Sequence, residues 1–282
     1  MSKGNKVLQA VVDQIIERIE ETGILPWQQP WVGANTPMNY EHKNPYRGLN
    51  RWSCILAGFS DNRWLTFSQI QKLEGKIKKG EKHTKIMKVA MIEKKRENDK
   101  GEQEVYARWF QPVRYYKMWN LEQTEGIDAE ALERGELKNP IDACEEVIGG
   151  FFNSPSITHS GNSAKYSVDN DTINMPKVSS FEKEEDYYST LFRIMAHSTG
   201  HPDRLNRRTL VEGQHPNTAY SKEQLVAELT SSMLCAHCGI EKATIKNSSA
   251  YLSGWLNKLK AQPKMLMASA GMAEKAFKHI VQ

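Results

Sequence analysis

Apolar residues recur at helical spacing over residues 5–22, where Val7, Leu8, Val11, Val12, Ile15, Ile16 and Ile19 define one face. The run stops at Thr22-Gly23, ahead of Pro26. The following stretch, PWQQPWVGANTPMNYEHKNPYRGLNRW, has no period and is crowded with Pro, Gly, Asn and aromatic residues, so it predicts irregular structure. Short helices are predicted over RWSCILAGFSD and over WLTFSQIQKLEG, the second opened by Thr66 or Ser68 as its cap. TKIMKVAMIEKK and EVYARWFQPVRYYKMW are β-rich runs joined by the polar turn RENDKGE, which predicts a long hairpin. Beyond it the pattern gives helices over IDACEEVIGGF, residues 184–199, SKEQLVAELTSSMLCAHCG, NSSAYLSGWLNKLK and PKMLMASAGMAEKAFKHIV. The third of these carries Ser221 as a cap and Gly239 as a stop, and short strands fall at SITHS and AKYSVDNDTINMP. The fold class expected is α+β in two domains, 1–125 with the hairpin and 141–282 mainly helical, joined by an acidic linker at 126–140.

Composition narrows the setting. No apolar run approaches the roughly 20 residues that span a bilayer, so no membrane partner is expected. The first helix lacks the apolar core and cleavage site of a signal peptide. Four cysteines in 282 residues are too sparse for a disulfide scaffold, and a cytoplasmic, reducing environment follows as the expectation. In LCAHCG, Cys235 falls on the apolar rhythm of its helix and reads as buried, and one C-x-x-C is at best half of a zinc site.

Net charge is only +4, but its distribution is uneven. Residues 43–100 hold 15 Lys/Arg against 6 Asp/Glu, whereas 101–150 hold 5 against 11. The positive half is the place to look for an anionic partner. There Trp27, Trp31, Tyr40, Tyr46, Trp52 and Trp64 lie among Arg47, Arg51 and Arg63, followed by KIKKGEKHTK. Aromatic faces that stack on unpaired bases, with cations that follow the phosphates, are the means by which single-stranded nucleic acid is held. The candidate contacts are Trp27, Trp31, Tyr46, Arg47, Asn50, Arg51, Trp64 and Lys79. The competing reading makes the tryptophans core residues and the lysines a solvated face.

LPWQQPW, MNYEHKNPYRGLNRW, RWLTFSQIQKLEGKIKKGEK and the hairpin resemble the N-terminal single-stranded-DNA-binding domain of ArdC-type antirestriction proteins, a module that also resembles the start of some plasmid primases. AKYSVDNDTINMP, YYSTLFRIMAHSTGHPDRLNR, YSKEQLVAEL and NSSAYLSGWLNKLK are similar to the zincin-like metallopeptidase domain of the same family. The resemblance implies an antirestriction role on a plasmid or phage, with single-stranded DNA as partner and a host restriction or other defence protein as target.

In LFRIMAHSTGHPDRLNR the departures from a zinc peptidase matter more than the likeness. H-E-x-x-H sets two metal-binding histidines one helical turn apart and places the general base beside the first. His197 stands where the second belongs, but Arg193 replaces the first and Ile194 replaces the glutamate. A guanidinium has no lone pair for a metal, and isoleucine moves no proton. The third ligand implied by the resemblance is Glu228, with Glu223 close by. The catalytic set is therefore expected to be empty and the domain a pseudo-peptidase, the degenerate metal pair being His197 and Glu228. An Arg193–Glu228 ion pair is expected in place of the metal, the alternative being an Arg193 that turns to solvent. Two readings stay open beside this one. The first is a metal-dependent peptidase with a rearranged site, zinc being held by His197, Glu228 and a borrowed ligand such as His201. The second is a protein-binding decoy that blocks a host defence enzyme without cutting it.

Overall fold

The computed structural model describes residues 3–25, 36–97, 102–130, 139–212, 218–240 and 249–282. The first helix, α1, runs Lys3–Thr22 and ends where Gly23 takes the left-handed φ of 67°. Strand β1 (Met38–Asn39) pairs with β2 (Arg63–Thr66), and between them lies α2 (Leu49–Leu56). The segment read from sequence as one helix divides in two. Arg63–Thr66 is strand, and helix α3 (Phe67–Lys72) starts after it with Thr66 as its cap. The Thr66 side chain accepts from Gln69 N while Gln69 Oε1 accepts from Thr66 N, a reciprocal capping box that fixes the switch from strand to helix.

Short β3 (Lys76–Ile77) pairs with β6 (Thr124–Glu125), and the long hairpin lies between them. Its strands are β4 (Thr84–Glu97) and β5 (Gln103–Asn120), and the four-stranded sheet runs β1-β2-β5-β4. The second half opens with α4 (Pro140–Gly150) and a three-stranded sheet ordered β7-β9-β8. Its strands are β7 (Ser156–His159), β8 (Lys165–Ser167) and β9 (Thr172–Met175). Among the described residues five helices follow: α5 (Glu184–Ser198), α6 (Arg208–Glu212), α7 (Thr218–Cys238), α8 (Ser249–Ala261) and α9 (Pro263–Ile280). Helix α7 begins three residues before Ser221, which is therefore internal to the helix and not its cap.

Two domains in the sequence do not make two separate cores. The apolar face of α1 packs with Leu49, Trp52 and Leu56 of α2 and Met87 of β4. The same cluster takes in Leu225, Val226, Leu229 and Met233 of α7, Trp255 and Leu259 of α8, and Met265, Leu266, Ala270 and Ala273 of α9. Each buried Val, Leu, Ile or Met contributes about 1.5–3 kcal/mol, so the C-terminal helices add to the hold that the N-terminal half has on α1. A polar link crosses the same seam: Arg51 Nε lies 3.2 Å from Glu274 Oε1, which also accepts from Gly48 N at 3.2 Å. A second cluster joins α4, β9, α5, the end of α7 and α9, with Cys144, Phe151, Ile173, Leu191, Phe192, Ile194 and Leu234 among its members.

Candidate nucleic-acid interface and peptidase-like cleft

The structure divides the eight predicted DNA contacts. Trp27 and Trp31 lie outside the described residues. Trp64 is 1% exposed and meets Phe59 edge-on in a small cluster with Cys54, Ile86 and Met118, so it has no free face for a base. Arg51 is buried against Glu274, and Asn50 exchanges two 2.8 Å bonds with the Met87 backbone, extending the edge of β4. Tyr46 is half-buried, and burial pushes its hydroxyl well above the usual tyrosine range. For Trp64 and Arg51 the expectation of a DNA contact is corrected by burial, whereas Asn50 and Tyr46 are half-buried and bonded within the domain. Arg47 and Lys79 are exposed.

The exposed aromatic rings lie mainly elsewhere. Strands β4 and β5 have 14 and 18 residues, well over the ordinary strand length of about 5–6, and only their base is covered. Ile86, Met87 and Met118 at the base are buried, whereas Met91, Tyr106, Trp109, Phe110 and Tyr115 are exposed, Phe110 by 69%. Bulges at Lys88/Val89 and Lys94/Lys95 sharpen the twist, and Pro112 occupies the first of them opposite Val89. Cations sit over several of these rings. Lys94 Nζ is 5.8 Å from the Trp109 centroid, Arg96 is 5.8 Å from Tyr106, Lys85 6.0 Å from Tyr115, and Arg114 4.6 Å from Tyr116. Over residues 84–120 the sequence carries nine Lys/Arg against five Asp/Glu. The ribbon thus combines flat apolar faces with positive charge on an open surface. Its length was the signal available in the sequence, since strands of that length outrun any core a domain this size can supply.

The cleft lies over α5. A cavity of about 250 Å³ is walled by Arg193, Ile194 and His197 of α5, Tyr220, Glu223 and Gln224 of α7, Leu210 of α6, and residues 164–166 and 168 around β8. At its floor His197 Nδ1 lies 3.3 Å from Glu223 Oε1. Arg207 Nη2 donates to the same oxygen at 2.6 Å, and Arg207 Nε and Thr209 Oγ1 donate to Oε2 at 3.1 and 2.6 Å. Arg207 also bonds Thr199 Oγ1 and the Ala196 carbonyl. It comes this close because residue 200 is glycine: a Cβ there would stand 2.9 Å from Arg207 Nη2. Burial alone would raise the Glu223 carboxyl, but the bonds from His197 and Arg207 outweigh it and hold the pKa at about 2.

The buried ion pair at the floor of the cleft is therefore Arg207–Glu223. The expected Arg193–Glu228 pair is not among the ion pairs of the described residues, and Glu228, buried on α7 with partners of its own, does not line the cleft. His201 follows the end of α5, where its Nδ1 accepts from Asp203 N at 3.2 Å, and it too stands outside the cleft wall. A zinc or manganese ion does not fit this donor set. Glu223 already receives four donors, Arg193 offers no lone pair, and among the described residues no three His, Cys, Asp or Glu side chains gather closely enough to hold a metal. The four cysteines are buried thiols; the neighbouring Cys238 thiol and burial push the Cys144 thiol up. Sequence reasoning passed over Arg207 and Thr209, whose roles depend on the turn that returns the chain from α5 to α6.

Residues 5–119 match the N-terminal domain of anti-restriction factor ArdC, and residues 151–272 match a zincin-like metallopeptidase. Two Escherichia coli proteins named DNA primase TraC are each 28% identical to the chain, over 97% and 95% of it. The chain spans only 20% and 26% of their lengths. The uncharacterized protein y4eC of Sinorhizobium fredii is 26% identical, with 95% of this chain and 89% of that protein aligned. Crystal structures of the antirestriction protein ArdC from plasmid R388, one metal-free and one Mn(II)-bound, superpose with a TM-score of 0.71 at 29% identity, covering 97% of this chain and 96% of that one. No helix among the described residues is long and apolar enough to cross a membrane. The chain therefore joins an ArdC N-terminal domain to a zincin-like metallopeptidase domain.

Proposed function

We propose that the chain is a single-stranded-DNA-binding antirestriction protein of a plasmid or phage, acting in the cytoplasm, whose zincin-like domain no longer hydrolyses peptides by the metal-dependent route. The observation that carries the first part is the β4–β5 ribbon, with exposed Tyr106, Trp109, Phe110 and Tyr115 beside Lys94, Arg96, Lys85 and Arg114. A base stacked on one such ring gains about 1–3 kcal/mol without regard to sequence. Duplex DNA hides those base faces, so the ribbon favours single strands. The loss of hydrolysis is supported by the replacement of a ligand and the general base with Arg193 and Ile194, and by the commitment of Glu223 to Arg207. A host restriction enzyme or another defence protein is the target class, reached by shielding the incoming strand.

The test is a fluorescence-anisotropy titration of single-stranded against duplex DNA of equal length at two salt concentrations. The expected result is a clear preference for the single strand that weakens with salt by about 0.7 in log–log slope per cation engaged. Equal binding to both forms, or none to either, would remove the reading.

A further inference from the structure

The cleft over α5 holds more positive charge than its own structure uses. Arg193 is half-buried in the wall, one helical turn before His197, and its guanidinium is protonated at any physiological pH. Lys165 of β8 and Gln224 of α7 line the same cavity. No side-chain hydrogen bond or ion pair of Arg193, Lys165 or Gln224 occurs among the described residues. Buried polar groups are normally paired, and a guanidinium carries five N–H donors, so this half-buried arginine is placed for a partner the cleft itself does not supply. Glu223 does not neutralise it, because His197, Arg207 and Thr209 fill both carboxylate oxygens. Arg207 balances Glu223, which leaves Arg193 and Lys165 as two unmatched positive charges on the wall.

Charge and size together select the ligand. A phosphomonoester carries about −1.5 to −2 charge at neutral pH and three terminal acceptor oxygens, so it answers both cations at once. A carboxylate or a phosphodiester brings one charge and leaves the other cation unmatched. The cavity, about 250 Å³, admits one phosphate with a compact substituent and is too small for a run of nucleotides. Beside the cations the wall is apolar at Val168, Ile194 and Leu210, which suits a ring or a short carbon skeleton on the far side of the ester.

We infer that this cleft is a binding site for a small phosphomonoester, its terminal oxygens paired with the Arg193 guanidinium and the Lys165 ammonium and its substituent against Ile194 and Leu210. A planar guanidinium meets two phosphate oxygens through parallel N–H···O bonds, so the side chain that closes the site to a metal opens it to an anion. Two sources share this chemistry: a free phosphorylated small molecule, and the 5′-phosphorylated end of a DNA strand. The inference is independent of the single-strand reading, since it uses no residue of the ribbon.

The probe is phenyl phosphate, titrated calorimetrically into the full chain in EDTA about two pH units above its second pKa of about 6, where it is a dianion. Phenyl sulfate, alike in shape but singly charged, is the comparison. The phosphate ester is expected to bind about tenfold more tightly or better, the scale of one hydrogen-bonded charge pair. Arg193→Gln should abolish that preference at an unaltered melting temperature, since no internal bond is lost with the guanidinium. Arg193→Lys should keep part of it, and Lys94→Ser/Lys95→Ser on the ribbon should leave it intact. Equal binding of the two esters by the unaltered protein, or binding of neither, overturns the inference, as does an Arg193→Gln variant that still discriminates. Loss of the preference in the ribbon variant would overturn it by moving the site to the ribbon. Displacement of phenyl phosphate by 5′-phosphorylated octathymidylate, and not by the 5′-hydroxyl form, would assign the strand end as the source. Displacement by neither would assign a free small molecule, and equal displacement by both would overturn the monoester in favour of the phosphodiester backbone.

Discussion

The ribbon and the cleft both bring positive charge to a surface, but they do so under opposite solvation. On the ribbon the cations stand in water beside exposed rings, and charge pairs such as Arg96–Glu104 and Arg108–Glu93 are mostly exposed and contribute little to stability. At the floor of the cleft Arg207 and Glu223 are 5% and 4% exposed, and each depends on the other to be buried at all. Charge on the ribbon is therefore free to serve a partner, whereas charge at the cleft floor serves the fold. Arg193, between these extremes, is half-buried and without an ion-pair partner among the described residues.

The sharpest way to break the comparison is to remove one partner of the buried pair. Arg207→Ala is expected to cost about 3–5 kcal/mol in urea unfolding, because it strands a buried carboxylate. A cost below about 1 kcal/mol, the range of exposed pairs, would show the network to be solvated after all. The same pair fixes a pH signature. Glu223 has its pKa lowered from 4.5 to about 2 in the folded chain, so its contribution is complete above pH 4.5 and is lost as the pH falls toward 2. Glu223→Gln should flatten that acid limb of the stability profile, and an unchanged limb would place the titration elsewhere.

Next come two tryptophans with opposite duties. Trp64→Ala is expected to cost about 3–5 kcal/mol of stability and to leave DNA affinity per folded molecule unchanged. Trp109→Ala should do the reverse, costing about 1–3 kcal/mol of single-strand affinity at an unaltered melting temperature. Finer still, Lys94→Ser/Lys95→Ser should lower the salt slope of single-strand binding by about 0.7 for each cation lost. The smallest expected effect is a null one: zinc or manganese added to the purified chain should leave its melting temperature in place. Saturation of a real site at a hundredfold over Kd would raise stability by about 2.7 kcal/mol, which calorimetry would register.

Element types were largely legible in the sequence because α1, the hairpin and the C-terminal helices each bury a face with a clear period. Site residues were less so, for reasons visible in particular side chains. A tryptophan beside arginines reads the same whether its ring is packed, as in Trp64, or open, as in Trp109; what separates them is whether the strand outruns the core beneath it. Arg207 carried no periodic signal at all, since it reaches Glu223 from a turn and only the missing Cβ of Gly200 lets it approach. The substitutions at 193 and 194 needed no structure, because no conformation gives a guanidinium a lone pair or an isoleucine a proton to move.

The seating of α1 against the last helices has a consequence for how the chain is made. The helix is made well before α7, α8 and α9, yet part of the surface that covers it belongs to them, some two hundred residues later in synthesis. Until they arrive, Val7, Val11, Ile15 and Ile19 must wait exposed or in provisional company. A premature stop before α8 would therefore deprive the N-terminal half of part of its own core, so early termination in the gene should destabilise both domains together.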